Sequence, residues 1–339
     1  MNNQSLKIEK HKVSIVIPCY NAQNTLATTL KSVQNSLHKN LDVLIVEDGS
    51  ENPSEQLVAS FQDDRFRYVY KNNEGPGLAR NYGIDNALGE YIFFLDSDDE
   101  IYPDSITNLL KFALENDLDV VSGVTVRKNF TTGVEGEWFR NLYKTKSINS
   151  KKQRLDLFND TLTTNKIYRV EMLKNQNIYF EEGLYEDKLF TAKLYSKLDK
   201  IGLIDDRVYI WWVYGSDTSI TTKKDLANFK ERQVSIDKLW EYIPELRKSY
   251  QISFYMSHDL LIYLREFCFY DTAYKEEIYQ IAKDFIQKNK KYIYYRFTSA
   301  SLNRACLDAL VAGDREKFIY TADILSILYQ DELKAKAKV

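Results

Sequence analysis

The chain has 339 residues, of which 44% are hydrophobic and 28% are charged. It can therefore bury a sizeable core, which excludes disordered, collagen-like and small disulfide-stapled proteins. Its formal net charge of −3 gives no general attraction to nucleic acid or to an anionic membrane. Three widely spaced cysteines form no CxxC pair, the first twelve residues are polar, and no apolar run approaches the ~20 residues of a membrane span. We expect a cytoplasmic protein, and contact with the inner face of the cell membrane stays open.

From residue 13, short β-branched runs alternate with helical patterns, as is typical of a mostly parallel sheet flanked by helices. Strands are predicted at Val13 to Pro18, Leu41 to Val46, Phe66 to Tyr70, Tyr91 to Leu95, Val120 to Val126 and Arg207 to Tyr214. Four helices are predicted between these strands. The first follows a capping Asn24 and has an apolar stripe of Leu26, Leu30, Val33 and Leu37. Two more are predicted at 55–61 and 78–87, and the fourth has Pro103 in its first turn.

From about residue 225 onward the apolar periodicity is almost entirely helical. We therefore predict an α/β domain at 1–224 and a helical C-terminal domain at 225–339. The second domain holds 12 of the 25 tyrosines. We interpret these as core and subunit-contact residues, which favours a homo-oligomer, while acceptor binding by the same domain stays open.

Polar residues that directly follow strands are the first candidates for a site, because open α/β sheets bind ligands beyond the carboxyl ends of their strands. The most informative segment is Asp96-Ser97-Asp98-Asp99, which follows the apolar run YIFFL. Three carboxylates on one turn repel one another unless a cation compensates them. Mg²⁺ or Mn²⁺, which prefers oxygen ligands and substrate phosphates, fits this pattern.

Three further residues have the chemistry of nucleotide recognition. Asp48 can accept hydrogen bonds from a ribose or a base, Tyr20 offers an aromatic face for stacking, and Arg80 can reach a phosphate or base. Each also has a structural interpretation as a capped turn, a half-buried tyrosine or an ordinary exposed arginine. No histidine triad or P-loop is present in the sequence.

The ordered segments VSIVIPCYN, DVLIVEDGS and GPGLARNYGIDNALGEYIFFLDSDD resemble the family 2 glycosyltransferases, which are nucleotide-sugar enzymes with the GT-A fold. The resemblance continues through Asn165-Lys166-Ile167-Tyr168 and Tyr185-Glu186-Asp187-Lys188-Leu189-Phe190, and so covers roughly residues 12 to 222. It is nearest to bacterial enzymes that build or decorate capsule, lipopolysaccharide and teichoic acid.

The resemblance implies an inverting enzyme that moves a sugar from a UDP-sugar to a hydroxyl of a bacterial surface glycan. Asp187 would be the general base beside Glu186, and Asp98 would bind the metal together with Asp96. The residues implied to hold the nucleotide sugar are Pro18, Tyr20, Asn21, Asp48, Arg80, Asp96 and Ser219.

One departure from the family pattern concerns the loop after the last predicted strand. Relatives often carry a histidine or basic residue there, whereas this chain has Tyr214 to Thr221 without a histidine, which leaves the third protein ligand of the metal open. Two alternatives to a transferase remain. A sugar-nucleotide nucleotidyltransferase would carry a GxGxRxxxxxxPK signature that is absent here, and an inactive carbohydrate-binding protein of the same fold would not need the intact carboxylates.

Overall fold

The computed structural model describes residues 8–149, 155–214, 224–293 and 301–336. The predicted site residue Ser219 lies outside these ranges. The chain divides into two compact units, Met1–Ser216 and Asp217–Val339.

The first unit is built on a ten-stranded sheet with the strand order β3-β2-β1-β4-β9-β6-β10-β5, to which β7 adds beside β6 and β8 beside β10. The strands are β1 (Val13–Cys19), β2 (Leu41–Asp48), β3 (Phe66–Lys71), β4 (Tyr91–Phe94), β5 (Glu100–Ile101), β6 (Val120–Asn129), β7 (Glu135–Trp138), β8 (Ser147–Asn149), β9 (Lys166–Arg169) and β10 (Ile201–Val213).

Helices connect these strands and cover the sheet. They are α1 (Leu26–Gln34), α2 (Glu55–Ser60), α3 (Pro76–Asn86), α4 (Ser105–Asn116), α5 (Val170–Asn175) and α6 (Glu186–Lys197), with a 3₁₀ turn at Leu155–Asn159. The helix predicted after Asn24 forms, but its N-cap is Thr25. Leu37 lies beyond the end of that helix and is exposed, so the predicted apolar stripe ends at Val33.

The sheet has a parallel half and a mixed half. Strands β3, β2, β1 and β4 are all parallel, and β1 and β2 are buried throughout, as expected of strands covered on both faces. Beyond β4 the sheet is mixed, because β9 runs antiparallel to both β4 and β6. The predicted helix-flanked α/β sheet is present, and β9 is a central strand that the sequence pattern did not predict.

The second unit is helical. Its α-helices are α7 (Leu226–Leu239), α8 (Lys248–Phe254), α9 (Leu261–Leu264), α10 (Thr272–Lys288), α11 (Ser301–Ala312) and α12 (Arg315–Lys336). Its core is rich in aromatic side chains and buries Tyr255, Tyr263 and Tyr279, whereas Tyr320 is exposed. None of the helices in the described ranges has the length and apolar character needed to cross a membrane.

Candidate active site

The carboxyl ends of β1, β2 and β4 open onto one edge of the sheet. β1 pairs in parallel with β2 on one side, where Cys19 lies opposite Glu47, and with β4 on the other. The loops that follow these strands therefore emerge side by side, at the kind of edge where α/β sheets bind ligands. The predicted residues Tyr20, Asp48 and Asp96 all lie on these loops or at their start.

Asp48 is buried at the end of β2 and is held by the segment that precedes α3. Its Oδ1 accepts hydrogen bonds from Lys71 Nζ at 2.7 Å and from the backbone N–H of Glu74 at 3.1 Å. Its Oδ2 accepts one from the backbone N–H of Gly75 at 2.7 Å. An ionised carboxylate has roughly four acceptor positions, so about one remains on Oδ2 for a ligand.

Gly49 allows the loop after β2 to lie directly against the segment that supplies those N–H groups. Its φ is +78°, which disfavours other residues, and a Cβ atom there would lie 2.5 Å from the backbone nitrogen of Asn73. A side chain at this position would therefore push the two loops apart and disturb the contacts of Asp48.

Glu47, which was not among the predicted site residues, organises the loops after β1 and β2. This fully buried carboxylate accepts hydrogen bonds from the Ser50 hydroxyl and from the backbone N–H of Ser54. Ser50 Oγ in turn accepts from the backbone N–H of Asn21 at 2.7 Å. The adjacent Tyr20 is 55% exposed, so its ring is available for stacking.

Arg80, on α3, is buried among three carboxylates. Its Nη2 donates to Asp96 Oδ1 at 2.8 Å, while Nη1 donates to Glu186 Oε1 at 2.8 Å and to Asp187 Oδ1 at 3.3 Å. The guanidinium also lies 5.3 Å from the centroid of the Phe180 ring. One cation therefore joins the acidic turn after β4 to the first residues of α6.

The start of α6 depends on two backbone features. Tyr185, the residue before the helix, has a left-handed φ of +66°, and Gly77 of α3 faces Glu186 closely. A Cβ atom at Gly77 would lie 3.0 Å from Glu186 Cγ. The glycine therefore permits the close approach of α3 and α6 that lets Glu186 reach Arg80.

Asp187 is the carboxylate of this group with the most altered acidity. Desolvation by the surrounding protein raises its pKa to about 7; Arg80 acts in the opposite direction, and the negative charges of Glu186 and Asp96 add to the rise. The hydroxyl of Thr163 donates to Asp187 Oδ1 at 3.0 Å. A carboxylate with a pKa near neutrality can accept and release a proton under physiological conditions.

The acidic turn after β4 has one carboxylate fixed by the protein and one that faces solvent. Asp99 is buried and accepts hydrogen bonds from the Tyr209 hydroxyl at 2.7 Å and the backbone N–H of Trp212 at 2.8 Å. Asp98 is exposed, and the described residues give its carboxylate no bond from another side chain. Loss of water around the turn, and then the charge of Asp96, raise the pKa of Asp98 to about 6.

The acidic turn fits a metal that is completed by substrate. Within the ranges that the structure covers, no three His, Cys, Asp or Glu side chains are arranged to hold an ion. Asp98 has an open carboxylate, and Asp96 gives one oxygen to Arg80. Such a donor set suits Mg²⁺ or Mn²⁺, which commonly uses one or two protein carboxylates together with phosphate and water.

The structure therefore brings together Asp96, Arg80, Glu186 and Asp187, which lie far apart in the sequence. Pro18 is buried within β1 and offers no side-chain donor or acceptor. Lys71 and Thr163 were not predicted. The position of Thr163 just before the Asn165-Lys166 motif was the one available signal, and nothing in the local sequence indicates Lys71.

The known proteins that this chain resembles are glycosyltransferases. The sequence profile of Glycosyl transferase family 2 matches residues 14–176. GalNAc(5)-diNAcBac-PP-undecaprenol beta-1,3-glucosyltransferase from Campylobacter jejuni is 27% identical over 264 residues, which cover 71% of this chain and 85% of the relative. Poly(ribitol-phosphate) beta-N-acetylglucosaminyltransferase TarS from Staphylococcus aureus is 26% identical over 251 residues, which cover 68% of this chain and 39% of TarS.

Other curated relatives are matched over a smaller part of their length. An uncharacterized glycosyltransferase from Rickettsia conorii is 49% identical over 106 residues. The chain spans only 18% of that relative and 32% of Glycosyltransferase GlyA from Streptococcus pneumoniae.

Among solved structures, S. aureus TarS 1–349 in complex with UDP-GlcNAc aligns with a TM-score of 0.67 and 21% identity, over 95% of this chain and 92% of that chain. At this level of identity the likeness establishes the fold. The GT-A fold class, which the motifs predicted, and the helical C-terminal region, which the apolar periodicity predicted, are confirmed.

Proposed function

We propose that this chain, which carries a glycosyltransferase family 2 domain at residues 14–176 as its motifs predicted, is an inverting glycosyltransferase. It moves a sugar from a UDP-sugar to a hydroxyl of a bacterial surface glycan or related acceptor. The observation that carries the proposal is the Arg80 cluster, in which one buried cation joins the acidic turn to a carboxylate with a pKa of about 7.

The donor is a uridine diphosphate sugar. The solved relative TarS binds UDP-GlcNAc, and the loop edge here has matching chemistry. Asp48 retains about one acceptor position on Oδ2 for the N3–H of uracil, and Tyr20 offers an exposed ring for stacking on the base. Asn21 and Pro18 shape the same loop, and Ser219 and Arg80 are assigned to the diphosphate side.

The metal is a divalent cation held by Asp98 with help from Asp96. When bound, it supplies positive charge that stabilises the departing diphosphate. The protein's own part is to keep Asp98 open to solvent and to fix the neighbouring Asp99 through Tyr209 and Trp212. The bonds of Asp99 anchor the turn, and the Asp98 carboxylate beside it remains available to a ligand.

The base is Asp187. It removes the proton from the acceptor hydroxyl as that oxygen attacks the anomeric carbon, and the bond from this carbon to the diphosphate oxygen breaks with its electron pair leaving on UDP. Displacement from the opposite face converts an α-linked donor into a β-linked product. Both relatives described above are named for β-linked products, which supports this stereochemistry.

The acceptor side is assigned to the helical unit, which we propose contributes to binding a polymer or to self-association. The aromatic side chains that remain exposed there, such as Tyr250 and Tyr320, suit either role.

The test incubates the full chain with UDP-glucose, UDP-galactose, UDP-GlcNAc and UDP-GalNAc, with Mn²⁺ or Mg²⁺ and poly(ribitol phosphate) or lipid-linked oligosaccharide acceptors. We expect release of UDP with β-linked product, loss of activity in excess EDTA, and recovery when metal is added. Sugar binding without transfer or donor hydrolysis would contradict the enzyme. Formation of a sugar nucleotide from UTP and a sugar phosphate would indicate a nucleotidyltransferase instead, and full activity in EDTA would contradict the metal.

A further inference from the structure

The two oxygens of Asp187 have unequal surroundings. Oδ1 accepts two hydrogen bonds, one from Arg80 Nη1 at 3.3 Å and one from Thr163 Oγ1 at 3.0 Å. Oδ2 receives no hydrogen bond from a described residue, and it is not among the buried polar atoms without a partner. Two donors on one oxygen fix the rotation of the carboxyl group and leave the other oxygen open.

Thr163 is held in place by bonds on both sides of its own peptide. The residue is fully buried, and its backbone carbonyl accepts from the Tyr168 hydroxyl at 2.8 Å. The preceding carbonyl, that of Leu162, accepts from Lys166 Nζ at 2.6 Å. The segment 162–163 is therefore anchored to β9, the strand that carries Lys166 and Tyr168.

Lys166 is fully buried, and all three of its ammonium hydrogens have acceptors. Nζ lies 2.7 Å from Asp160 Oδ2, 2.7 Å from Asn165 Oδ1 and 2.6 Å from Leu162 O. An ammonium group has three N–H donors, so none remains for a substrate. Burial lowers the pKa of Lys166, and the carboxylate of Asp160 opposes that change.

The closed side of this network is completed by a tyrosine. The Tyr143 hydroxyl donates to Asp160 Oδ2 and also receives a hydrogen bond from Asn165 Nδ2 at 3.1 Å. Every group of this Lys166 network, namely Lys166, Asp160, Asn165 and Tyr143, is buried. This network holds two peptide groups in place, and one of them belongs to Thr163.

We infer that Thr163 is a positioning residue for Asp187: held by the Lys166 network, its hydroxyl occupies Oδ1 together with Arg80 and so assigns proton acceptance to Oδ2. This inference rests on the proposed function, because it concerns the carboxylate proposed as base. The inference also assigns a structural role to the Asn165-Lys166 motif, because Lys166 has no N–H donor left for a substrate.

The direct test compares Thr163→Val, which removes the hydroxyl at nearly constant volume, with Thr163→Ser, which keeps it. The matched control is Thr191→Val, because Thr191 Oγ1 donates to the backbone carbonyl of Asp187 at 2.9 Å and not to its carboxylate. Thr163→Ala provides a second hydroxyl-free variant should the valine disturb packing.

The first readout needs no substrate. Carbon-13 NMR titration of the Asp187 carboxyl group, assigned by its absence in Asp187→Asn, should give a higher pKa in Thr163→Val, because the lost hydrogen bond favours the ionised form. The groups that act on this carboxylate, Arg80, Glu186, Asp96, Lys166 and Tyr168, are unchanged in all these variants. Thr163→Ser and Thr191→Val should leave the pKa near its wild-type value.

The second readout is transfer with UDP-GlcNAc or another donor active in the panel. We expect Thr163→Val to lower kcat by about 10- to 100-fold with little change in donor KM, since misplacement of a catalytic group can cost about 10²-fold. Thr163→Ser should recover most of that loss. An unchanged carboxyl pKa in Thr163→Val, or the same kcat loss in Thr191→Val, would overturn the inference. Near wild-type transfer by Asp187→Asn would instead overturn the proposed base.

Discussion

Two buried cations in the first unit, Arg80 and Lys166, have opposite surroundings. Arg80 contacts three carboxylates, and the side chains of Asp96 and Asp187 are 33% and 36% exposed. Lys166 contacts one carboxylate, that of Asp160, which is as inaccessible as the lysine itself. A cation whose partners keep free oxygens prepares a site for ligands, whereas a cation whose donors are all used internally holds a segment in place.

The largest expected effect tests the Arg80 cluster, whose carboxylates are partly exposed. Asp187→Asn keeps the size of the side chain but removes its ability to take a proton, and general-base catalysis is worth roughly 10²- to 10⁴-fold. We expect kcat for transfer to fall by about 10²-fold or more, while UDP binding measured by calorimetry stays close to wild type.

Glu186→Gln is the matched control for that variant, because Glu186 contacts the same nitrogen of Arg80. We expect a loss below about tenfold, since this residue contributes to the charge of the cluster and does not take the proton. If Glu186→Gln were inactive and Asp187→Asn active, the base would be Glu186 and the assignment to Asp187 would be wrong.

The next effect tests the buried Lys166–Asp160 pair. Lys166→Met removes the cation and leaves the Asp160 carboxylate buried without a compensating positive charge, a change that costs about 3–5 kcal/mol in comparable sites. Urea unfolding should register this loss. Lys111→Met on α4, where the partner Glu115 is 4.0 Å away and both side chains are exposed, should change stability by less than about 1 kcal/mol. Equal losses in the two variants would refute a special role for the buried pair.

The pH dependence of transfer tests the carboxylate side of the Arg80 cluster without mutation. The pKa of Asp187 is raised to about 7, so below that pH the proposed base is increasingly protonated and cannot accept a proton. We expect kcat to rise about tenfold per pH unit up to about pH 7 and then to level off. A flat profile between pH 5 and 8, with folding verified by circular dichroism, would contradict the assignment.

The smallest effect concerns one hydroxyl of the Lys166 network. Tyr143→Phe removes a donor to Asp160 and one of the two acceptors of Asn165 Nδ2, and a buried group that loses a partner costs about 1–3 kcal/mol. Thermal unfolding should therefore shift downward by a few degrees. Tyr20→Phe, at an exposed position, should remain within about 0.5 kcal/mol of wild type, and a similar shift in both variants would argue against the network.

The segments proposed to bind the donor could be located in the sequence because each is local. An apolar strand followed by Asp48 or by Asp96-Ser97-Asp98-Asp99 carries its own signal, since a buried parallel strand must end where its carboxyl edge meets solvent. The first four strands were accordingly predicted to within about two residues of their observed ends. The order of the family motifs then supplied Asp187.

The rest depends on distant contacts that local patterns do not encode. Arg80 and Glu186 are 106 positions apart, and only the folded structure shows that this arginine binds carboxylates of the protein itself. Thr163 lies in irregular chain before β9, where no periodic pattern marks it as a site residue. β9 was not predicted because four residues flanked by irregular chain give too short a pattern to identify.

The position of β9 has a consequence for how the site is assembled. Residues 13–94 can form the parallel half of the sheet from neighbouring strand-helix units, whereas in the strand order β9 lies between β4 and the pair β6 and β10. Chains are made from the N-terminus at about 5–20 residues per second, so on the ribosome the edge that carries Asp48 and Asp96 can exist several seconds before residue 187 is available. The proposed base is therefore made after the donor edge, and Tyr209 and Trp212, which bind the Asp99 carboxylate, are made later still. An incomplete chain that ends before residue 187 would have the donor edge without the proposed base.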